Sequence, residues 1–184
     1  MQIEPMSPSG PWLVIPSALK DDRGEFFRYY CERTFRDCIP GFTGFVQCNQ
    51  SVNVRKATLR GMHYQMPPHA EDKLVRCIKG AAWDVCIDLR KDSPTFLKWF
   101  AAELTETNRY SIFIPKGFAH GFITLSNNTE LIYHHSEYYV PGAEKGIHFA
   151  DPAVGIVWPE VPQTVSEKDA GYAFLDKNFT GIEI

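Results

Sequence analysis

The sequence has no surplus of positive charge. Its 19 Lys and Arg stand against 22 Asp and Glu, a formal net charge of −3, and no block of basic residues interrupts it. A protein that grips nucleic acid through its phosphates needs a basic face, so that class is not expected. No apolar run approaches the length of a bilayer span. The opening residues MQIEPMSPSG have neither the basic start nor the apolar stretch of a signal peptide. A cytoplasmic protein without membrane or nucleic-acid partners is the expectation. The five cysteines (Cys31, Cys38, Cys48, Cys77, Cys86) show no Cys-x-x-Cys spacing, so no zinc framework can be built from them. They read as reduced, mostly buried small side chains. Repeats, low-complexity tracts and linkers are also missing, and 184 residues suit one domain, 1–184, better than two.

What is present is a series of short alternating segments. Thirteen glycines and thirteen prolines are spread along the chain as turn markers between them. In AAWDVCIDLR, Trp83, Val85, Ile87 and Leu89 share one parity and Asp84, Cys86 and Asp88 the other, so the two sets face opposite sides of a sheet. RYSIFIP repeats the pattern with Tyr110, Ile112 and Ile114, and Pro115 ends the strand. GFITLS and ELIYHHSEYY read as two more strands, joined at an Asn127–Asn128 turn. FVQCNQSV, LVRCI and WLVIP bring the set to at least seven. Helix is scarce: CERTFRDCI holds two turns, and Ser166 is placed to cap a short helix in SEKDAGYAF. The pattern predicts a mainly β domain. Strands of this kind close into a jelly roll or stack as an immunoglobulin-like sandwich, and periodicity does not separate the two.

The stretch LRGMHYQMPPHAEDKLVRCIKG, residues 59 to 80, gathers Arg60, His63 and Lys73. Packing has no need for so many cations near one sheet edge. An anion site, a metal site and a proton-transfer site are the functional readings. Each residue also has a plainer one: Lys73 as a solvated lysine guarding a strand edge, Tyr133 as core aromatic, Asp169 as a charge in a helix's first turn. PKGFAHGF, with Pro115, Gly117 and His120, resembles the second motif of the cupin superfamily, where that histidine is often a metal ligand. Metal-binding cupins supply two further histidines one residue apart. Here the matching stretch is His63-Tyr64-Gln65, and glutamine is a poor ligand for a first-row metal. His134 and His135 are adjacent, so on a strand they point to opposite faces.

From about residue 19 to residue 176 the chain resembles the dTDP-4-dehydrorhamnose 3,5-epimerase family of nucleotide-sugar epimerases. The matching stretches are DDRGEFF, FVQCNQS, LRGMHYQ, KLVRCIKG, WDVCIDLRKDSPTF, IPKGFAHGF, YYVPGAEKGI and DPAVGIVWP with SEKDA, in the family's order. The resemblance implies a cupin-type jelly-roll barrel with short peripheral helices, no metal and no organic cofactor, assembled as a homodimer. It implies inversion at C3, C5 or both of a nucleotide-linked 4-keto-6-deoxy hexose, with dTDP as the first nucleotide to expect.

That chemistry needs a base, a stabiliser for the enolate oxygen and an acid on the far face. His63 suits the base, because imidazole titrates close to neutral pH. By resemblance Asp169 is its partner, Lys73 sits by the ketone oxygen and Tyr133 is the acid. Asp84 and His120 carry over as residues near the sugar. Arg23 and Arg60 carry over to the diphosphate, and Gln47, Asn49 and Tyr139 to the base and ribose. The match frays at Arg28, where the family has a glutamate, at Cys48, at His134 and in TFLKW. None of these is the proposed base, acid or oxyanion group. Arg28 lies on the recognition side and leaves the nucleotide open. Two other classes remain: a sugar-nucleotide-binding cupin without catalysis, which has no use for His63 and Tyr133 together, and a metal-dependent cupin enzyme, which Gln65 disfavours.

Overall fold

The computed structural model describes residues 1–184, and nearly all of its regular structure is short strands. β1 (Gln2–Pro5) and β2 (Trp12–Ile15) come first, then β3 (Ala18–Asp21), β4 (Gly24–Phe27) and helix α1 (Glu32–Cys38). Next are β5 (Gln47–Asn53), β6 (Thr58–Gln65), β7 (Lys73–Lys79) and β8 (Ala81–Asp88). β9 (Trp99–Thr105), β10 (Ser111–Ile114), β11 (Phe118–Thr124) and β12 (Thr129–His135) follow. The chain ends with β13 (Glu144–Gly146), β14 (Thr164–Val165) and the single turn α2 (Glu167–Ala170).

Two sheets carry the architecture. The first has strand order β1-β2-β10-β7-β12-β5; the second has β13-β6-β11-β8-β9, with β14 alongside β6. Every pairing but β14–β6 is antiparallel. Side chains from both sheets meet between them: Val75, Ile112, Ile114 and Leu131 from the first, Cys86, Leu104, Phe118 and Phe122 from the second. This is the expected cupin-type jelly roll, and the sandwich alternative falls away. The Asn127–Asn128 turn does join β11 to β12, with Asn128 at φ +54°, but it carries the chain from one sheet to the other and closes no hairpin.

The alternation of β8 is real, and its inner side is the one with the polar residues. Val85, Ile87 and Leu89 face outward, under Ile147 and Ile182 of the C-terminal segment. Ala82 and Cys86 face the space between the sheets, and Asp84 shares their parity. A third cluster covers the outside of the first sheet, where Phe35 and Ile39 at α1 pack on Trp12, Val14, Leu74 and Phe113. With both outer faces covered, the sheets can give part of their inner space to polar groups. The cysteines correct one expectation: all five are free, but only Cys77 and Cys86 are buried, while Cys38 and Cys48 are exposed. Cys48 lies on β5, whose opposite parity (Asn49, Ser51, Asn53) makes the inward contacts.

Candidate active site

β14 runs parallel to β6, with Thr164 opposite Thr58 and Val165 opposite Leu59. The next residue is the predicted cap: Asp169 N–H donates to Ser166 Oγ at 3.0 Å, closing the turn of α2. That turn swings Asp169 onto β6. Its Oδ2 accepts the N–H of Gly61 at 3.2 Å, and its Oδ1 lies 2.7 Å from His63 Nε2. The contact requires glycine. Gly61 has φ +125°, and a Cβ there would lie 2.5 Å from Gly121 Cα. A Cβ on Gly121 would in turn lie 2.6 Å from Met62 Sδ. The two glycines let β6 and β11 approach where their register shifts, between His120 and Phe122.

A carboxylate only accepts hydrogen bonds, so the ring proton of His63 sits on Nε2 and the lone pair on Nδ1. Nδ1 is therefore the basic nitrogen. Burial pushes the Asp169 carboxyl up, but the hydrogen bond and charge of His63, with the Gly61 and Ser166 bonds, bring it below its ordinary value. Asp169 is ionised at neutral pH and favours the imidazolium that proton capture would create. Tyr172 packs edge-on to the His63 ring, 5.8 Å between centroids. It fits only because Gly146, opposite His63 in the sheet, has no Cβ.

The other wall comes from the first sheet. Tyr133 on β12 shares a hydrogen bond with Ser51 Oγ, 2.9 Å away. Burial raises its phenol well above the usual range, the Ser51 bond works against this, and the Asp84 charge adds to it. The phenol thus keeps its proton. Lys73 heads β7 and is only 7% exposed, so the solvated-edge reading is wrong for it. Its Nζ lies 3.2 Å from Glu71 Oε1 and reaches across the gap to the His63 carbonyl at 3.5 Å.

These groups line one cavity of about 410 Å³ between the sheets, a size suited to a small ligand. Of the eleven residues named from sequence, His63, Lys73, Tyr133, Asp169, Asn49, Arg60, His120 and Tyr139 line it. Three do not. Asp84 is completely buried behind His120, whose Nε2 lies 3.0 and 2.9 Å from its two carboxylate oxygens. It therefore orients His120 and has no access to a ligand. Gln47 sits one step out, donating to Asn49 Oδ1 and accepting the Tyr139 N–H. Arg23 lies on the exposed β3–β4 ribbon, paired with Asp21 and away from the cavity of its own chain. Arg60 anchors its Nε on Asn53 Oδ1 at 2.7 Å and has no carboxylate partner, which leaves the guanidinium edge for an anion.

Sequence reasoning missed three charged groups in the cavity. Glu71 holds Lys73, Glu144 Oε1 lies 3.9 Å from His63 Nδ1, and Lys168 pairs with Glu144 at 2.5 Å. Glu71 stands two residues before Lys73 but in the loop ahead of β7, where strand parity gives no signal. Glu144 had none, because its place depends on the three-residue β13 pairing with β6. Gln65 has a structural use: its amide donates to the carbonyls of His69 and Tyr138, and its Oε1 accepts the Val140 N–H. No group of three or more His, Cys, Asp or Glu is arranged to hold a metal ion. His134 and His135 do diverge, the first into the aromatic cluster with Tyr29, Tyr30 and Phe45, the second into the cavity.

An imidazole backed by a carboxylate on one sheet, with a phenol and an ammonium on the other, can take a proton from one side of a ligand and return one to the opposite side. That places the chain among the jelly-roll isomerases. Residues 6–177 match the model of the family described as dTDP-4-dehydrorhamnose 3,5-epimerase, and the chain belongs to that family. It is 43% identical to the dTDP-4-dehydrorhamnose 3,5-epimerase of Salmonella typhimurium over 167 residues, 90% of each chain. The crystal structure of the Elizabethkingia anophelis enzyme of the same name superposes with a TM-score of 0.92 at 34% identity, covering 97% of this chain and 98% of that one. A dTDP-6-deoxy-D-glucose-3,5-epimerase from Legionella pneumophila, solved with dTDP-4-keto-L-rhamnose, gives 0.90 at 33% identity over 100% and 98%.

Proposed function

We propose that the protein inverts C3, C5 or both of a dTDP-linked 4-keto-6-deoxy hexose by proton abstraction and return, as a step of deoxysugar biosynthesis. The observation that carries this is the opposition of His63 and Tyr133, which line one cavity from different sheets. The C4 ketone acidifies the hydrogens on C3 and C5, because the carbanion delocalises into an enolate. His63 Nδ1 takes the hydrogen, and Asp169 steadies the resulting imidazolium. The Lys73 ammonium stands at the enolate oxygen, a contribution of about 2.7–4 kcal/mol for one preorganised donor. Tyr133 gives its phenolic proton to the carbon from the other side, and the phenolate recovers a proton through Ser51 or solvent. The complex of the Legionella relative with dTDP-4-keto-L-rhamnose supports the ligand class, and Arg60 at the cavity offers a guanidinium for its diphosphate.

Arg23 belongs to this reading only in a dimer. Leu19 and Phe26 face each other across the β3–β4 ribbon and are 73% and 74% exposed, an uncovered apolar pair on a two-stranded arm whose turn carries Arg23. A second copy that buries this pair receives Arg23 at the mouth of its own cavity. The free state of all five cysteines fits a reducing, cytoplasmic location.

Incubation with dTDP-4-keto-6-deoxyglucose in deuterated water tests the reading. Deuterium should appear at C3, C5 or both by NMR, and the pattern identifies the inverted centre. Binding of the nucleotide sugar without any exchange would favour the non-catalytic cupin instead.

A further inference from the structure

The cation assigned to the enolate oxygen is not free to choose its position. Lys73 Nζ is held by Glu71 Oε1 at 3.2 Å, and Glu71 Oε2 is held by His135 Nδ1 at 2.8 Å. The Lys73 and Glu71 side chains are each 9% exposed and that of His135 12%, so water offers little competition for these bonds. His135 is itself fixed on its other side, with Nε2 lying 3.3 Å from Asn49 Nδ2.

The orientation of each group follows from its neighbour. Asn49 Oδ1 accepts from Gln47 Nε2, so its amide nitrogen is the atom turned toward His135. An amide nitrogen only donates, so His135 Nε2 is the acceptor and Nδ1 carries the hydrogen given to Glu71. Glu71 then accepts on both oxygens. Burial pushes its carboxyl up, and the hydrogen bond from His135 with the charge and bond of Lys73 more than reverse that. The sheet makes the chain possible: His135 stands opposite Gln47 on β5 and opposite Lys73 on β7, so three adjacent strands contribute to one row.

We propose that His135 and Glu71 are positioning residues for Lys73, forming with Asn49 a row that ties the ammonium to the nucleotide-facing strand β5. Without His135 the Glu71 carboxylate loses its second anchor and turns, and the ammonium follows it away from the ketone oxygen. Two consequences separate this from simple space filling. The role depends on an N–H at the place of Nδ1, not on the ring, and it acts on turnover more than on nucleotide binding. The inference rests on the proposed epimerase reading for its kinetic consequence and stands apart from it for its structural one.

The test compares His135→Asn with His135→Phe. The asparagine amide keeps a donor where Nδ1 was; phenylalanine keeps the ring, including its stack on Tyr133 (6.3 Å, 25° between planes), and loses the donor. His135→Phe should lower kcat for deuterium exchange about 10- to 100-fold, the cost of displacing a catalytic group by the order of an ångström, with a much smaller change in the Kd for dTDP as Asn49 loses its contact with Nε2. His135→Asn should keep kcat within a few-fold of the parent. Greater loss in the Asn variant than in the Phe variant, or exchange near parental in both, overturns the proposal. If the parent protein exchanges no deuterium with any nucleotide sugar, the epimerase reading fails. A crystal structure of His135→Phe then decides the positioning claim by itself: Lys73 Nζ away from its place beside Glu71 sustains it, and an unmoved Lys73 refutes it.

Discussion

Asp169 binds both ends of the same stretch of β6, the His63 imidazole through Oδ1 and the Gly61 N–H through Oδ2. One carboxylate thereby sets the angle of the base and selects Nδ1 as its reactive nitrogen. Its own place depends on the Ser166 cap and on β14 lying beside β6, so the base is aligned by a segment more than a hundred residues along the chain. An amide at residue 169 can still accept one bond but brings no charge to an imidazolium. Asp169→Asn should lower kcat for exchange by about 100-fold or more, within the range general base catalysis supplies. A rate within threefold of the parent would remove Asp169 from the mechanism.

The same carboxyl makes a prediction about acid. Folding lowers its pKa below the ordinary 3.8, so the unfolded chain binds that proton more readily than the folded one. The stabilisation is therefore fully present above the ordinary value and is lost as pH falls through the lowered one. The difference in thermal midpoint between the parent and Asp169→Asn should shrink as pH drops through the carboxylate range. Asp84 has the opposite sign, because burial raises its carboxyl despite the charge and hydrogen bond of His120. Its protonated form is the one folding favours, a contribution that fades as pH rises through the raised value.

Gly61→Ala should be costly in two ways. The new methyl meets Gly121 Cα at 2.5 Å and the His120 carbonyl oxygen at 2.8 Å, both backbone atoms that cannot rotate aside. Forced separation of β6 from β11 costs about 1–3 kcal/mol, as overpacking does, with backbone strain at positive φ in addition. It also moves the N–H that Asp169 accepts. Denaturant unfolding should show the loss, and activity should fall further than stability accounts for. A variant of parental stability and rate would show that the close approach is dispensable.

Much of this was legible in the sequence where a single period carried it. The parities of β8 and β10, the end of β10 at Pro115 and the Ser166 cap follow from local geometry and are found as read. Which parity of β8 faces inward was not legible. The usual rule sends the apolar set to the core, yet here Val85 and Ile87 lie under the C-terminal segment and Asp84 faces the other sheet's Tyr133 region through His120. The missing information was that both outer faces would be covered. Glu144 and Lys168 escaped for a related reason: they reach the cavity through the brief strands β13 and β14, whose partners no local pattern reveals. Arg23 was named from resemblance, and its own chain gives it no access to the cavity.

That gap leads to a prediction about assembly. Phe26→Asp places a charge on the exposed face of the β3–β4 ribbon, beside Leu19, and leaves the jelly roll untouched, since Phe26 packs on no core cluster. Light scattering should show a dimer for the parent and a shift toward monomer for the variant. The monomer should bind dTDP more weakly, and Arg23→Ala should weaken binding to a similar degree without dissociating the dimer. If the monomer binds dTDP as well as the parent does, Arg23 makes no contact across the dimer.

Tyr133→Phe separates the two halves of the proposed reaction. The phenol sits on the wall opposite His63, and burial keeps its proton in place despite the Ser51 bond. Removal of the first hydrogen needs His63 and Lys73 but no acid. Without the hydroxyl, the enolate is reprotonated by the imidazolium that formed it, which returns hydrogen to the original face. Deuterium therefore still enters from solvent through exchange at His63, while the configuration of the carbon is retained. The expected result is exchange within about tenfold of the parent and net inversion reduced by about 10²–10⁴, the weight of a general acid. The phenyl ring fills the same space, so the Ser51 hydroxyl loses one partner and little else changes in the fold. NMR of one incubation in deuterated water reads both quantities. If exchange and inversion fall together, the phenol takes part in the first proton transfer, and the division of labour between the two sheets is wrong.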